Sequence, residues 1–144
     1  MRNLTAMLAL LLLSAVAGAE PLAGQDTEPR FIGSTNPNSV LSRVVVAGNT
    51  VYLSGVLGTS AGPGVQEQTR QVMETIRDSL AEVGASMDDV VKCTVFMADL
   101  SERPQMNEVY RSFFPMNRPA RSAVGVDLGG PRVEIECIAI LPER

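Results

Sequence analysis

The apolar positions fall into short runs with changing period. Val44 to Ala47 and Thr50 to Ser54 are two β-rich runs separated by Gly48-Asn49, a pair that favours a tight hairpin. Gly55, Gly58 and a loop from Ser60 to Gly64 follow. Over residues 65–83 the period becomes helical, with Val72, Met73, Ile76, Leu80 and Val83 on one stripe and Gly84 as the stop. Ser86 and Asp89 have capping-box spacing for one further short turn. Val90 to Met97 reads as a strand with apolar residues on both faces, which suits a central or helix-covered position. Ser101 is placed to cap a second helix running to about Phe114, with Met106, Val109, Tyr110 and Phe113 as its stripe and Asn107 and Phe114 at the edge. After Pro115 and Pro119, the runs Ser122 to Leu128 and Arg132 to Leu141 suggest a closing hairpin around Gly129-Gly130-Pro131.

The predicted order is β-β-α-β-α-β-β: one α/β (α+β) domain, a mixed sheet with both helices on one face. The opposite sheet face then needs cover, which a homo-oligomer supplies.

The start of the chain reads differently. Arg2, a Leu-rich run from Met7 to Val16 and the small residues Ala17-Gly18-Ala19 have the form of a secretory signal peptide over residues 1–19. The run is shorter than the roughly 20 residues a spanning helix needs. The expectation is a periplasmic or secreted protein with no membrane segment after cleavage. Residues 20–38, polar and with Asn36-Pro37-Asn38 as a turn signal, read as a flexible lead-in, leaving 39–144 as the domain.

Charge and composition narrow the chemistry. The 144 residues carry a net charge of −4, with no basic run and no Trp. Such a chain has neither the electrostatics nor the stacking platform to hold nucleic acid. The chain has no His, which excludes a Ser–His or Cys–His nucleophile, and two Cys without His do not make a usual zinc site. No phosphate loop precedes a helix. Cys93 and Cys137 can bridge in an oxidising compartment, but each lies in an apolar run and reads more simply as a small buried core residue.

A few polar residues at strand ends are left. Arg121 opens a strand after Pro119-Ala120, where a guanidinium can fork onto a carboxylate or simply face solvent. Glu134 and Glu136 share a strand face with Ile138 and Ile140, a place from which a carboxylate can exchange protons with a ligand or merely mark a solvated strand end. Ser54 ends a strand beside Gly55, and Asn107 lies at a helix edge. If the closing hairpin turns on 129–131, residue 126 faces 134 and Arg121 lies about five residues, roughly 16 Å, from the partner of Glu134. On that geometry the two act on one molecule only across a subunit boundary.

Taken together these pieces resemble a family. Pro119-Ala120-Arg121-Ser122-Ala123-Val124, Leu128, and Val133-Glu134-Ile135-Glu136-Cys137-Ile138-Ala139 look like the signature of the RidA (YjgF) family. Gly48-Asn49 with Leu53-Ser54-Gly55, the run Val91 to Leu100, and Asn107-x-x-Tyr110-x-x-Phe113-Phe114 agree in order, so the resemblance spans nearly all of residues 40–142. It implies a chorismate-mutase-like fold, usually a homotrimer with clefts between subunits. It also implies cofactor-free hydrolysis of reactive enamine or imine acids, of the 2-aminoacrylate type, to 2-oxo acids and ammonia. Carried over, Arg121 clamps the substrate carboxylate, Glu134 orients or activates water, and Ser54, Gly55 and Asn107 line the cleft. A non-catalytic trimer that binds a small carboxylate or protects other proteins uses the same arginine. Ribonuclease activity, also attached to the family, sits poorly with the acidic charge and absent His. The chain departs from the family at Leu41, where active members often have an aromatic, at Ala123, where many have Cys, and in a short segment between Phe114 and Arg121.

Overall fold

The computed structural model describes residues 28–33 and 37–142. The expected signal segment, 1–19, and most of the lead-in lie outside them. Among the described residues, no helix is long and apolar enough to cross a membrane.

Six strands form one mixed sheet: β1 (Arg30–Ile32), β2 (Val44–Ala47), β3 (Thr50–Leu57), β4 (Val90–Met97), β5 (Ala120–Gly125) and β6 (Val133–Ile140), in the order β1-β2-β3-β6-β4-β5. Helices α1 (Val65–Glu82) and α2 (Arg103–Ser112) complete the domain. The β2–β3 hairpin turns at Gly48, whose φ of 59° is open to glycine without the clash a Cβ would bring. The Ser86–Asp89 capping box forms as expected, with the Asp89 carboxylate accepting from the Ser86 backbone and hydroxyl at 2.7 and 2.8 Å.

Three expectations are corrected. β1 lies inside the segment assigned to the lead-in; Phe31 and Ile32 between Pro29 and Gly33 are too short a run to signal a strand, yet they pair with Val45 and Val44. The turn before α2 is capped by Asp99, whose carboxylate accepts from the Ser101 backbone N–H at 2.8 Å, rather than by Ser101. The third changes the site: β5 and β6 do not form a hairpin. β5 runs parallel to β4, and β6 inserts between β3 and β4, antiparallel to both. A parallel partner requires a long crossover, and the segment through α2 supplies one. Gly129 and Gly130, at φ 66° and 142°, serve a loop that carries the chain past β4 to the far side.

Both helices pack on one sheet face. Val72, Met73, Ile76 and Leu80 of α1 and Met106 and Tyr110 of α2 meet Val95, Met97, Ile135 and Ala139 in a common core. A register shift between Val90 and Lys92 lets Val90, Cys93 and Val95 all face this core, and leaves Val91 exposed. Cys93 and Cys137 are directly opposed across β4 and β6, with Cα atoms 4.1 Å apart, and are joined by a disulfide. They are therefore not separate buried thiols; their register, invisible in sequence spacing, decides the outcome.

Gln68 ties the loops at one end of the sheet. Its amide donates to the Gly62 carbonyl and accepts from the Arg132 N–H, both at 2.8 Å. At the other end Arg43 forks onto Glu82 at 3.0 and 2.9 Å, joining the start of β2 to the end of α1.

Candidate active site

The candidate residues fall into two groups, one on each face of the sheet. Arg121 pairs in register with Cys93, whose side chain is buried beneath the helices, so Arg121 also projects to the helix side. Its guanidinium carbon sits 4.8 Å from the ring centroid of Tyr110 on α2, and Nη1 approaches the Met106 sulfur at 4.0 Å. No carboxylate pairs with it among the described residues. Asn107 and Tyr110 belong to the same helix, three residues apart and so on one side of it. Asn107 Oδ1 and the Tyr110 hydroxyl are both buried without a hydrogen-bond partner among the described residues. Burial pushes the Tyr110 phenol up to about 12, against a smaller opposing pull from the Arg121 charge.

The second group is on the open face. Val133, Ile135, Cys137 and Ala139 of β6 are buried, so the alternating Glu134, Glu136 and Ile138 point away from the helices. A register shift in β3 between Leu53 and Val56 displaces Ser54 and Gly55 from the regular ladder. The Ser54 hydroxyl donates to the Ser42 carbonyl at 2.7 Å, and its backbone N–H to the Arg43 carbonyl at 3.0 Å. Its hydroxyl proton is thus committed to the chain, and the oxygen can only accept from a ligand. Gly55 lies against Glu134: a Cβ there would collide with the Glu134 carboxylate. The close approach explains a glycine at this position without any demand on φ. Glu136 is exposed, opposite Thr94.

A shallow hollow of about 340 Å³ on the open face is lined by Tyr52, Ser54, Glu136 and Ile138, among others. A larger one, about 530 Å³, lies along α1 between Gln66, Arg70 and Glu74 and contains none of the five candidates. Size is a poor guide here, since neither hollow holds both groups. Among the described residues no cluster of three or more His, Cys, Asp or Glu side chains is placed to hold a metal.

The structure thus brings Ser54, Gly55 and Glu134 together, and separately sets Arg121 against Tyr110, three residues along α2 from Asn107. It does not bring the groups together within one chain. Arg121 lies two strands from β6 and, by register, three residues from the level of Glu134, roughly 14 Å between Cα atoms. The 16 Å expected from a hairpin was near this value for the wrong reason. In the sequence Tyr110 reads as part of a core stripe and as a position of the Asn107-x-x-Tyr110-x-x-Phe113-Phe114 match, with no site role of its own. The signal for more was its place three residues after Asn107, but its contact with Arg121 depends on a strand face that the sequence does not disclose.

A mixed sheet with two helices on one face, a cation without a carboxylate partner among the described residues on that side and a carboxylate against a bulge on the other define a small α+β domain with two separate groups of candidate residues. The chain belongs to the RidA (YjgF) family: residues 33–141 match the family described as endoribonuclease L-PSP. It is 40% identical over 108 residues to the chloroplastic Reactive Intermediate Deaminase A of Arabidopsis thaliana, covering 69% of this chain and 58% of that protein. The chain therefore spans little more than half the length of that relative. It is 36% identical over 107 residues to the human 2-iminobutanoate/2-iminopropanoate deaminase, covering 69% of this chain and 78% of the relative. Among solved structures it resembles a YjgF family member from Neisseria meningitidis, with a TM-score of 0.75 and 30% identity over 82% of this chain and 98% of that one.

Proposed function

We propose that this protein hydrolyses 2-imino acids to 2-oxo acids and ammonia at sites formed between copies of the chain, a homotrimer being the assembly that the family resemblance implies. The observation that carries this reading is Arg121, a half-buried residue whose guanidinium has an aromatic ring beneath it and no carboxylate partner among the described residues. A guanidinium without a carboxylate partner among the described residues keeps its N–H edge available to the anion of a ligand. A planar carboxylate fits the guanidinium edge by two parallel N–H···O bonds. The relatives named as deaminases of 2-iminobutanoate and 2-iminopropanoate support a substrate of that kind.

The reaction balances without a cofactor. Water oxygen bonds to the imine carbon while a proton passes from the water to Glu134, and the imine nitrogen, taking up the π electron pair, accepts that proton from Glu134. The hydroxyl proton of the carbinolamine then moves through the Glu134 carboxylate to the amine nitrogen as the C–N bond breaks, leaving the 2-oxo acid, ammonia and an ionised Glu134. The imine carbon is already electrophilic, so placing water and fixing the carboxylate supply much of the catalysis. Ser54 offers an acceptor oxygen on the open face.

The family description names an endoribonuclease. A chain of net charge −4 without His offers neither a phosphate-binding field nor the usual acid–base pair for RNA cleavage, which favours the imine reading. We also place the protein in the periplasm or outside the cell. The Cys93–Cys137 disulfide supports this, since such bonds persist in oxidising compartments.

The test is turnover. With an imine generated in place by an amino-acid oxidase, the protein should speed loss of the imine and release of ammonia. Binding of the 2-oxo acid without acceleration would instead leave a carboxylate-binding protein.

A further inference from the structure

Arg121 has to be held still without being neutralised. An acidic neighbour would fix a guanidinium but would also occupy its N–H edge and cancel its charge. The structure uses a different support. The guanidinium carbon lies 4.8 Å from the Tyr110 ring centroid, and Tyr110 in turn packs on Phe114, centroid to centroid at 4.9 Å and tilted by 48°. Phe114 is 1% exposed and Tyr110 6%, so the ring under the arginine is backed by the core and cannot retreat. A ring under the guanidinium carbon attracts its charge without cancelling it and, unlike a carboxylate, takes up none of the N–H bonds in a bidentate pair. The guanidinium's other polar approach among the described residues, Nη1 to the Met106 sulfur at 4.0 Å, is to a weak acceptor.

We infer that Tyr110 is a positioning residue: its ring holds the Arg121 guanidinium with the N–H edge presented to the carboxylate of the substrate. This rests on the reading of Arg121 as the carboxylate fork. The ring carries the effect, and the hydroxyl, buried with no partner among the described residues, is secondary. The phenol stays protonated over the working pH range because burial disfavours the phenolate, so the ring never adds a negative charge beside the fork.

A contact of this kind, partly desolvated, is worth a factor of about ten in binding. The experiment compares wild type, Y110F, Y110L and R121A in the full mature protein. It measures the affinity for 2-oxobutanoate by calorimetry, and kcat and KM with 2-iminobutanoate. Y110F, which keeps the ring, should match wild type within about threefold. Y110L should weaken 2-oxobutanoate binding and raise KM about tenfold while kcat moves far less, and Y110F restores what Y110L loses. A purely structural role would lower the melting temperature without that split between KM and kcat. If Y110L fails to give a folding transition, Y110M, flexible enough to fill the space, replaces it. Unchanged affinity in Y110L or Y110M, with R121A still defective, overturns the role of Tyr110 alone. If R121A binds 2-oxobutanoate as well as wild type does, the reading of Arg121 falls and this inference with it.

Discussion

Arg121 and Glu134 project from opposite faces of one sheet, two strands and three residues of register apart. Side chains that leave a sheet in opposite directions cannot close on a molecule of six or seven heavy atoms. Under the proposed reading each site therefore takes its arginine from one copy and its carboxylate from the next.

This division predicts complementation. R121A alone should lose roughly 30- to 1,000-fold in kcat/KM, as for truncation of one side of a buried charge pair at about 2–4 kcal/mol, and E134Q should lose activity as well. Refolding the two inactive variants together should restore about a quarter of wild-type activity, because random assembly places an intact arginine beside an intact carboxylate at one interface in four. Mixtures as inactive as their components would place both residues in a single-chain site.

Gly55→Ala should separate catalysis from stability. The new methyl group meets the carboxylate end of Glu134, a flexible tip that can swing aside at little cost to the fold. A carboxylate displaced by about 1 Å loses its aim at the attacking water, so kcat should drop by on the order of a hundredfold. The melting temperature should hold nearly constant, and thermal unfolding beside steady-state kinetics would check both halves.

Removing the disulfide should be costly to the fold. Cys93 and Cys137 are 44 residues apart, and closing a loop of that length restricts the unfolded chain by roughly 4 kcal/mol. The C93A/C137A double variant, or wild type under dithiothreitol, should melt more than about 10 °C lower. A shift of a degree or two would show that the unreduced bond contributes little.

Tyr110 should shape stability at high pH. Its phenol is raised from the ordinary 10 to about 12 by burial. Between those values the folded chain keeps a proton that the unfolded chain has lost. The stability gained from folding around a neutral phenol is complete below pH 10 and is lost as pH rises from 10 towards 12. Wild type should therefore lose stability over that window more steeply than Y110F, and the difference in their ultraviolet titrations should place the Tyr110 phenolate near pH 12. Equal slopes for the two proteins would count against a buried phenol.

Much of the fold is legible in the sequence because local period and turn chemistry agree. The Val72–Met73–Ile76–Leu80 stripe, the Gly48 turn and the Ser86–Asp89 box each specify their element from neighbours a few residues away. The pairing of β5 is not local. Gly129-Gly130-Pro131 between two strand-like runs reads as a hairpin, yet β4 takes β5 as its parallel neighbour and β6 on its other edge. The site shows the same divide. Arg121, Glu134, Ser54, Gly55 and Asn107 are visible as a motif, and their spatial grouping follows from the register of β6 with β3, of β5 with β4 and from the packing of α2. Tyr110 is hidden among core residues because an aromatic stripe looks the same whether a cation or an aliphatic chain lies above it.

The bond between Cys93 and Cys137 links the strand beside Arg121 to the strand that carries Glu134. A covalent rung at that level stops the two ribbons from sliding past each other, so the chain behaves as a rigid bracket with a hook on either side. Under the proposed reading the width of the working gap is then governed by how neighbouring brackets lock together, and adaptation to longer or bulkier acids has to come through the seam between them.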